Sequence, residues 1–360
     1  MKISRLTFAT IILALSSLCV QAQNLKICLS YCPYYASQLP DPAIVTHINY
    51  GFAELYVTDG VYNGFKLQGN ESKFKEVVAL KQQNPDIKIC LSFSHTVSNS
   101  DNRQGGGFSA LAANPDYRRQ FAADCLAFLK KWGIDGIDID WEFPGISWSG
   151  HASNPAVDTW NFTLLMKELR ETLGNGYLLT FAGYVSDKMK TDGGTKYIDI
   201  TAAMPYVDFV NIMTYDMDEA PHYQSAIDDL QSYSDCSRAV NAYATLGVPF
   251  EKMVLGIPFY LRRSFDGATT VIDYKNLLIL AARNTNWVIG LWDDKAKSTY
   301  ATYKGSFYGG YDDERSIAVK GEWANSLGLA GLMYWECSED DSNYTLARAV
   351  WNAVTKNYNK

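Results

Sequence analysis

Three carboxylic acids at every second position form the most informative feature of this sequence. Within 135–145, which reads DGIDIDWEFPG, Asp138, Asp140 and Glu142 alternate with large apolar residues. Because side chains alternate across a β-strand, the three acids are predicted to share one face, with neighbours roughly 6.5–7 Å apart. If that face lines a cavity, burial and mutual repulsion raise at least one pKa. A carboxylic acid that stays protonated near neutral pH can act as a general acid, so the spacing indicates acid catalysis.

Two other interpretations of the acidic row fit less well. A solvated strand edge would mix in Lys, Ser or Thr, because like charges in a row repel one another. A calcium-binding EF-hand loop needs Gly at its sixth position and Glu at its twelfth, whereas here Gly145 follows Phe143 and Pro144. We therefore favour a catalytic role for the row over a surface role or a calcium site.

Short apolar runs recur along the chain, with helical patterns between them. Asn114 and Pro115 are a helix-start signal, an N-cap followed by proline at the first helical position. The predicted strands are 25–31, 44–53, 87–94, 136–142, 177–184, 209–215, 253–260 and 330–335. The predicted helices are 72–83, 115–132, 156–173, 223–246, 313–327 and 345–356.

Eight strands that alternate with helices predict an α/β fold, a closed (β/α)8 TIM barrel. Such barrels carry their chemistry at the C-terminal ends of the strands, and Glu142 ends the fourth predicted strand. The interval 263–312 is too long for one crossover helix, which predicts a small α+β insertion between strands 7 and 8, with a simple surface excursion as the alternative. Without a linker, 23–360 is expected to be one catalytic barrel.

The composition narrows the class of partner. A net charge of -7 without a basic run argues against binding nucleic acid or an anionic membrane surface. The four His are scattered and no Cys-x-x-Cys motif occurs, so we expect no metal site and no cofactor. The 9 Trp and 24 Tyr favour a sugar ligand, although core packing also uses such residues. We expect a monomer.

The N-terminus predicts export. Lys2 and Arg5 precede an apolar run over 6–20, and small residues near Ala22 suit a cleavage site, so 1–22 is expected to be a signal peptide of a secreted or periplasmic protein. A lipoprotein anchored at Cys19 fits poorly because Leu18 is bulky. No other segment could span a bilayer. The remaining six cysteines are expected to be buried free thiols, with one disulfide left open.

The acidic motif, with Asp135 at its start, resembles the signature of the family 18 glycoside hydrolases, whose best-known members are chitinases. Other segments resemble the family in its own order: FSALAANP at 108–115, MTYD at 213–216, GIPFY at 256–260, YDDERS at 311–316 and MYWE at 333–336. The resemblance covers nearly the whole mature chain.

The resemblance implies a substrate-assisted mechanism that retains configuration. Glu142 would protonate the glycosidic oxygen while the 2-acetamido carbonyl of the substrate attacks the anomeric carbon, and water would then open the oxazolinium intermediate with Glu142 as base. Asp140 would orient the acetamido group, and Asp138 would share charge or a proton with Asp140. Tyr215 would donate a hydrogen bond to the acetamido oxygen.

The resemblance also implies sugar-binding positions. Asp216 would grip the sugar and Trp335 would form the floor beneath it, although without the family a Trp on an apolar strand is usually core. Further positions align with lining residues of the family, and each would be assigned to packing or strand-end surface if met alone: Tyr31, Phe52, Ser92, Ala182, Met213, Tyr260 and Arg262.

These features imply a secreted hydrolase of β-1,4-linked N-acetylglucosamine, acting on chitin or its oligosaccharides. The alternatives are an endo-β-N-acetylglucosaminidase acting on N-glycan cores, action on peptidoglycan-type glycans, and a non-catalytic chitin-binding lectin. Two departures fall near the expected cleft: the third strand ends in Ser94-His95 where the family has two glycines, and Leu261 stands where it has glycine. Both are expected to alter chain-length preference and leave the acid intact.

Overall fold

The computed structural model describes residues 26–99, 101, 107–147, 152–184, 193–217, 223–228, 234–264 and 269–356. The predicted signal peptide and Cys19 lie outside these residues. Within them, the strands in chain order are β1 (Ile27–Pro33), β2 (His47–Thr58), β3 (Val61–Leu67), β4 (Lys88–Ser94), β5 (Gly136–Asp140), β6 (Leu178–Gly183), β7 (Phe209–Ile212), β8 (Met253–Pro258), β9 (Tyr260–Arg263), β10 (Thr270–Asp273), β11 (Trp287–Asp293), β12 (Ser298–Tyr303), β13 (Ser306–Tyr311) and β14 (Gly331–Trp335). The α-helices are α1 (Glu71–Ala79), α2 (Phe108–Ala113), α3 (Pro115–Trp132), α4 (Asp158–Leu173), α5 (Ile200–Ala203), α6 (Cys236–Thr245), α7 (Tyr274–Arg283), α8 (Glu314–Leu327) and α9 (Thr345–Thr355).

Eight parallel strands close into a barrel. Their order around it is β1, β14, β8, β7, β6, β5, β4 and β2, and β2 pairs with β1 to complete the ring. All eight predicted strands are present, and the predicted (β/α)8 TIM barrel is confirmed. The ring brings the C-terminal ends of all eight strands to one face of the molecule.

The sequence of β5 shows how the barrel positions its acids. Ile137 and Ile139 are fully buried, as is Asp138, and all five residues of the strand are buried. Because the side chains alternate, the isoleucines pack outside the ring while the aspartates point into it. The strand ends at Asp140, two residues earlier than predicted, so Glu142 lies just beyond it.

The helix-start signal at Asn114 is confirmed. The Asn114 side chain accepts hydrogen bonds from the amides of Asp116 and Tyr117 at 2.8 and 3.4 Å, and Pro115 begins α3. Gly133 ends the helix at φ 63°, a left-handed conformation that glycine adopts without steric cost. The helix packs against α4, α2 and β3, and both of its ends are fixed by local sequence.

A second sheet lies between the seventh and eighth barrel strands in chain order. It is antiparallel, with the order β10, β9, β13, β12, β11, and α7 follows β10. This sheet overlaps the interval 263–312 that was expected to form an insertion, and it begins earlier, at Tyr260. Its first strand follows β8 directly, so the sheet adjoins the open end of the barrel.

Two parts of the chain differ from the prediction. The helix expected over 223–246 is wrong, because α6 is the only helix among the described residues of that interval. The side chains of Gln224 and Ser225 are buried and donate instead to the backbone carbonyls of Tyr260 in the second sheet and of Thr214 after β7. The Asp235 side chain then accepts from the Arg238 amide and starts α6. The strand β3 was not predicted, and it pairs antiparallel with a β2 that runs to Thr58.

The six cysteines in the described ranges are buried free thiols: Cys28, Cys32, Cys90, Cys125, Cys236 and Cys337. Across the same ranges no helix is both long enough and apolar enough to cross a lipid bilayer.

Candidate active site

A cavity of about 330 Å³ opens at the C-terminal ends of the barrel strands. Ten of the residues predicted from sequence line it: Tyr31, Phe52, Asp140, Glu142, Ala182, Met213, Tyr215, Asp216, Tyr260 and Trp335. They come from β1, β2, β5, β6, β9 and β14 and from the segments that follow β5 and β7. The barrel thus brings together residues that are far apart in the sequence.

Asp140 and Glu142 form a hydrogen-bonded carboxyl pair in this cavity. Burial raises the pKa of Glu142 to about 7; the hydrogen bond from Asp140 lowers it and the charge of Asp216 raises it. Burial also raises the pKa of Asp140 well above its usual range, with further increases from Glu142 and Asp138. Because Oδ1 of Asp140 is buried and lacks a partner among the described residues, ionising Asp140 would be costly. The pair therefore holds at least one proton at neutral pH.

Asp138 lies beneath the pair, fully buried inside the barrel. Its Oδ2 accepts from Tyr31 Oη at 2.8 Å and from Ser92 Oγ at 2.7 Å. Its Oδ1 accepts from Thr180 Oγ1 at 2.6 Å and from Asn211 Nδ2 at 3.2 Å. Burial raises the pKa of Asp138, and these four donors oppose that rise. Asp138 is thus fixed in place by donors from β1, β4, β6 and β7, and its charge raises the pKa of Asp140.

Tyr215 reaches the cavity over a glycine. A Cβ at Gly256 would lie 2.8 Å from Cε1 of Tyr215 and 2.6 Å from the Ile212 carbonyl oxygen, so only glycine leaves room for the ring. Burial raises the pKa of Tyr215, and the neighbouring carboxylates, Asp140 first, raise it further. The phenol therefore stays protonated and can donate a hydrogen bond across the working pH range.

Asp216 is held from the second sheet. Its Oδ1 accepts from Tyr260 Oη at 2.7 Å, and its Oδ2 lies 3.3 Å from an Arg262 guanidinium nitrogen. The backbone of Asp216 is left-handed, with φ 57°. Arg262 itself does not line the cavity. The side chains of Tyr260 and Arg262 thus hold the Asp216 carboxylate in place.

An aromatic surface forms one wall of the cavity. The rings of Trp335 and Phe52 are stacked, with centroids 5.9 Å apart and planes at 23°. Tyr31 also packs against Trp335, with ring centroids 5.6 Å apart and planes at 50°. Such a flat apolar face suits the hydrophobic face of a sugar ring.

Not every predicted residue touches the cavity. Three of them lie behind it: Asp138, Ser92 and Arg262. Asp138 accepts from the lining residue Tyr31, Arg262 pairs with the lining residue Asp216, and Ser92 donates to Asp138. Three lining residues were missed: Ser94, Thr96 and Tyr184. Ser94 is paired in register with Asp140 across β4 and β5, so the end of the neighbouring strand was the signal that could have identified it.

Comparisons with known proteins identify the family of the chain. Residues 26–340 match the family model described as glycosyl hydrolases family 18. The probable chitinase 2 of Drosophila melanogaster is 29% identical over 349 residues, with 85% of this chain and 68% of that protein aligned. Chitinase A1 of Niallia circulans is also 29% identical, over 85% of this chain and 54% of its own length. The chain thus spans between about half and two thirds of these curated relatives.

Solved structures share the fold. The family 18 N-acetylglucosaminidase of Paenibacillus barengoltzii superposes with a TM-score of 0.76 at 27% identity, covering 91% of this chain and 99% of that one. A class V chitinase mutant from Nicotiana tobaccum, in complex with NAG4, superposes with a TM-score of 0.77 at 22% identity, over 93% and 99% of the two chains. The family resemblance seen in the sequence is confirmed, and the chain is a chitinase-like member of the glycosyl hydrolases of family 18.

Proposed function

We propose that the protein hydrolyses β-1,4 linkages of N-acetylglucosamine polymers or oligosaccharides, by substrate-assisted catalysis with retention. The observation that carries this proposal is the Asp140–Glu142 pair, whose pKa values are raised by burial in a cavity with an aromatic wall. A carboxyl group with a pKa near 7 can give up a proton in one step and take it back in the next.

Glu142 serves as general acid and then as general base. It is half-buried at the rim of the barrel, so it reaches the cavity while burial keeps its pKa near 7. It would protonate the glycosidic oxygen as the bond breaks and would deprotonate the water that completes hydrolysis. Positioned acid–base catalysis of this kind contributes about 10²–10⁴-fold to the rate.

The carboxyl groups that line the cavity in the described residues support an internal nucleophile. They are Asp140, Glu142 and Asp216. A direct displacement needs a second ionised carboxylate about 5–5.5 Å from the acid, across the scissile bond. Asp140 is instead neutralised and hydrogen-bonded to the acid, and Asp216 is tied to Tyr260 and Arg262. The acetamido oxygen of the substrate then takes the nucleophile's place, with Asp140 and Tyr215 positioned to hold the acetamido group.

The sugar that reacts would lie on Trp335. The stack of Trp335 on Phe52 supplies an apolar platform, and Asp216 supplies a hydrogen-bond acceptor on the opposite side, where Tyr260 fixes it. Met213 and Ala182 complete an apolar part of the lining that suits the methyl group of an acetamide. A cavity that combines an aromatic platform, a carboxylate acceptor and an apolar lining favours N-acetylglucosamine over glucose. Export after removal of 1–22 is part of the same proposal and places the enzyme where such polymers occur.

A second candidate is supported by the Paenibacillus barengoltzii structure, whose title describes an N-acetylglucosaminidase. In that case the same site would release single N-acetylglucosamine residues from chain ends. The residues at the reacting centre have the same roles in both proposals, and the products differ.

Product analysis tests both candidates. The mature chain is incubated with N-acetylglucosamine tetramer and, separately, with a high-mannose glycopeptide. Dimer as the main early product supports a chitinase, and monomer supports the exo-acting enzyme. Release of the glycan alone would assign an endo-N-acetylglucosaminidase instead, and binding without cleavage of either compound would assign a lectin and overturn the proposal.

A further inference from the structure

An ion pair that the proposed chemistry does not use is buried behind the cavity. Lys320 of α8 is fully buried, and its Nζ lies 2.6 Å from Oδ2 of Asp312, which is also buried. A buried ion pair is often no more stabilising than apolar side chains of the same volume, because both charges lose their hydration. The position of this pair in the fold therefore calls for a reason other than stability.

The hydrogen bonds of the pair lead to the strand end that carries Tyr215. Lys320 Nζ donates to Ser225 Oγ at 2.7 Å, and Ser225 Oγ donates to the Thr214 carbonyl oxygen at 2.7 Å. The direction of this chain of bonds is fixed: an ammonium group only donates, and a serine hydroxyl has a single proton, which goes to the carbonyl. The charge of Lys320 thus polarises and orients the hydroxyl that holds the residue before Tyr215.

The side chain of Thr214 is also hydrogen-bonded to β8. Its Oγ1 donates to the Gly256 carbonyl oxygen at 2.8 Å and accepts from the Gly256 amide at 2.9 Å. Gly256 is the residue over which the Tyr215 ring packs. The backbone of Thr214 is therefore fixed between β8 and Ser225, and the next residue can project its phenol in only one direction.

We propose that Asp312 and Lys320 are positioning residues for Tyr215, acting through Ser225 and Thr214. This inference rests on the proposed role of Tyr215 in holding the acetamido group. A displacement of about 1 Å at a group that must meet the transition state can cost a large part of the rate. Asp312 directly follows β13 of the second sheet and Lys320 lies in α8, so the pair also couples that sheet to the reacting centre.

Ser225→Ala is the sharpest test, since it removes one hydroxyl and leaves the ion pair and the volume nearly intact. With N-acetylglucosamine tetramer, kcat should fall about tenfold, the effect of one hydrogen bond to a charged group, and KM should change less. A second variant, Lys320→Met combined with Asp312→Asn, removes both charges so that neither is left unpaired, and kcat should fall at least as far.

The control is Ser316→Ala. Ser316 Oγ donates to the other oxygen of Asp312 at 2.6 Å, and it accepts from the Asp313 amide at 2.9 Å at the start of α8. This variant should lower the melting temperature to a similar degree while kcat stays within about twofold of the wild type, because the bond to Thr214 remains. Equal losses of kcat in Ser225→Ala and Ser316→Ala would overturn the inference and assign the pair a general structural role.

A double-mutant cycle gives the decisive readout. If Ser225 acts through the Tyr215 hydroxyl, Ser225→Ala should cost less than about twofold in a Tyr215→Phe background. A full tenfold loss in that background would contradict the inference. If the wild type cleaves no N-acetylglucosamine oligomer, the proposed function fails separately; the same cycle is then measured on the Kd for the tetramer, where additive effects would overturn the positioning role and non-additive ones would support it.

Discussion

Asp140 and Glu142, two residues apart in the chain, interact as a carboxyl pair inside the cavity, and burial raises the pKa of both groups. Two carboxyl groups held this way cannot both ionise near neutral pH, so the pair keeps a proton at the place where a glycosidic oxygen would arrive. Four hydrogen-bond donors fix the Asp138 carboxylate below the pair.

The first prediction concerns pH. Catalysis needs Glu142 protonated, so kcat/KM should fall about tenfold per pH unit above about 7. The charge of Asp216 raises the pKa of Glu142, and therefore Asp216→Asn should move this alkaline limb to lower pH. The pH profile of kcat/KM measures the shift, with Asp294→Asn at an exposed site as the control. An alkaline limb that stays in place or moves upward would show that Asp216 does not act on the acid.

Tyr215→Phe should lower kcat/KM by about 10–100-fold, because it removes a hydrogen bond that strengthens as charge develops on the acetamido oxygen. Stability should change little, since Phe keeps the ring that packs on Gly256. Steady-state kinetics on the tetramer and thermal unfolding measure the two effects, with Tyr303→Phe in the second sheet as the matched control. An unchanged rate in Tyr215→Phe would remove Tyr215 from the reacting centre.

Tyr31→Phe tests the support beneath the acids. The change removes one of two donors to Oδ2 of Asp138, at a fully buried site, and should lower the free energy of unfolding by about 1–3 kcal/mol at pH 7. Tyr62→Phe is the comparison, since the Tyr62 hydroxyl donates to the partly exposed Asp124 and its loss should cost less. Urea unfolding of both variants measures the difference; equal stabilities would mean that Asp138 does not depend on Tyr31.

The raised pKa of Glu142 also has a consequence for stability. A carboxyl group whose pKa is higher in the folded protein than in the unfolded chain makes the folded protein less stable as the pH rises from about 4.5 through about 7. Gln does not ionise, so Glu142→Gln should raise the melting temperature by a few degrees at pH 8 and by less at pH 5. Thermal unfolding at both pH values, with exposed Glu251→Gln as the control, measures this. A larger gain at pH 5 would contradict the sign of the shift.

Much of the barrel could be predicted from sequence because its strands are short apolar runs, and most were separated from the next by a helical pattern. The acidic row was recognisable for the same reason: the alternation of Ile and Asp in β5 is the strand period itself. The helix expected over 223–246 failed because Gln224 and Ser225 find their partners in the tertiary structure, on Tyr260 and Thr214, and local patterns do not report such contacts.

The cavity was predictable only in part. Residues in long motifs, such as Trp335 and Tyr215, could be assigned through the family resemblance. Ser94, Thr96 and Tyr184 reach the cavity because neighbouring strands end at the same level, and that register is a property of barrel closure. The ion pair of Asp312 and Lys320 could not be recognised, since eight residues of sequence separate two charges that a solvated helix would usually expose.

The most direct test is hydrolysis of N-acetylglucosamine tetramer by the wild type and by Glu142→Gln, together with calorimetric binding of the same compound. The wild type should cleave the tetramer, whereas Glu142→Gln should lose at least about 10²–10⁴-fold in kcat and still bind it. Hydrolysis by Glu142→Gln at a rate near that of the wild type would contradict the assignment of Glu142 as the acid, and an inactive wild type that binds the tetramer would contradict catalysis itself.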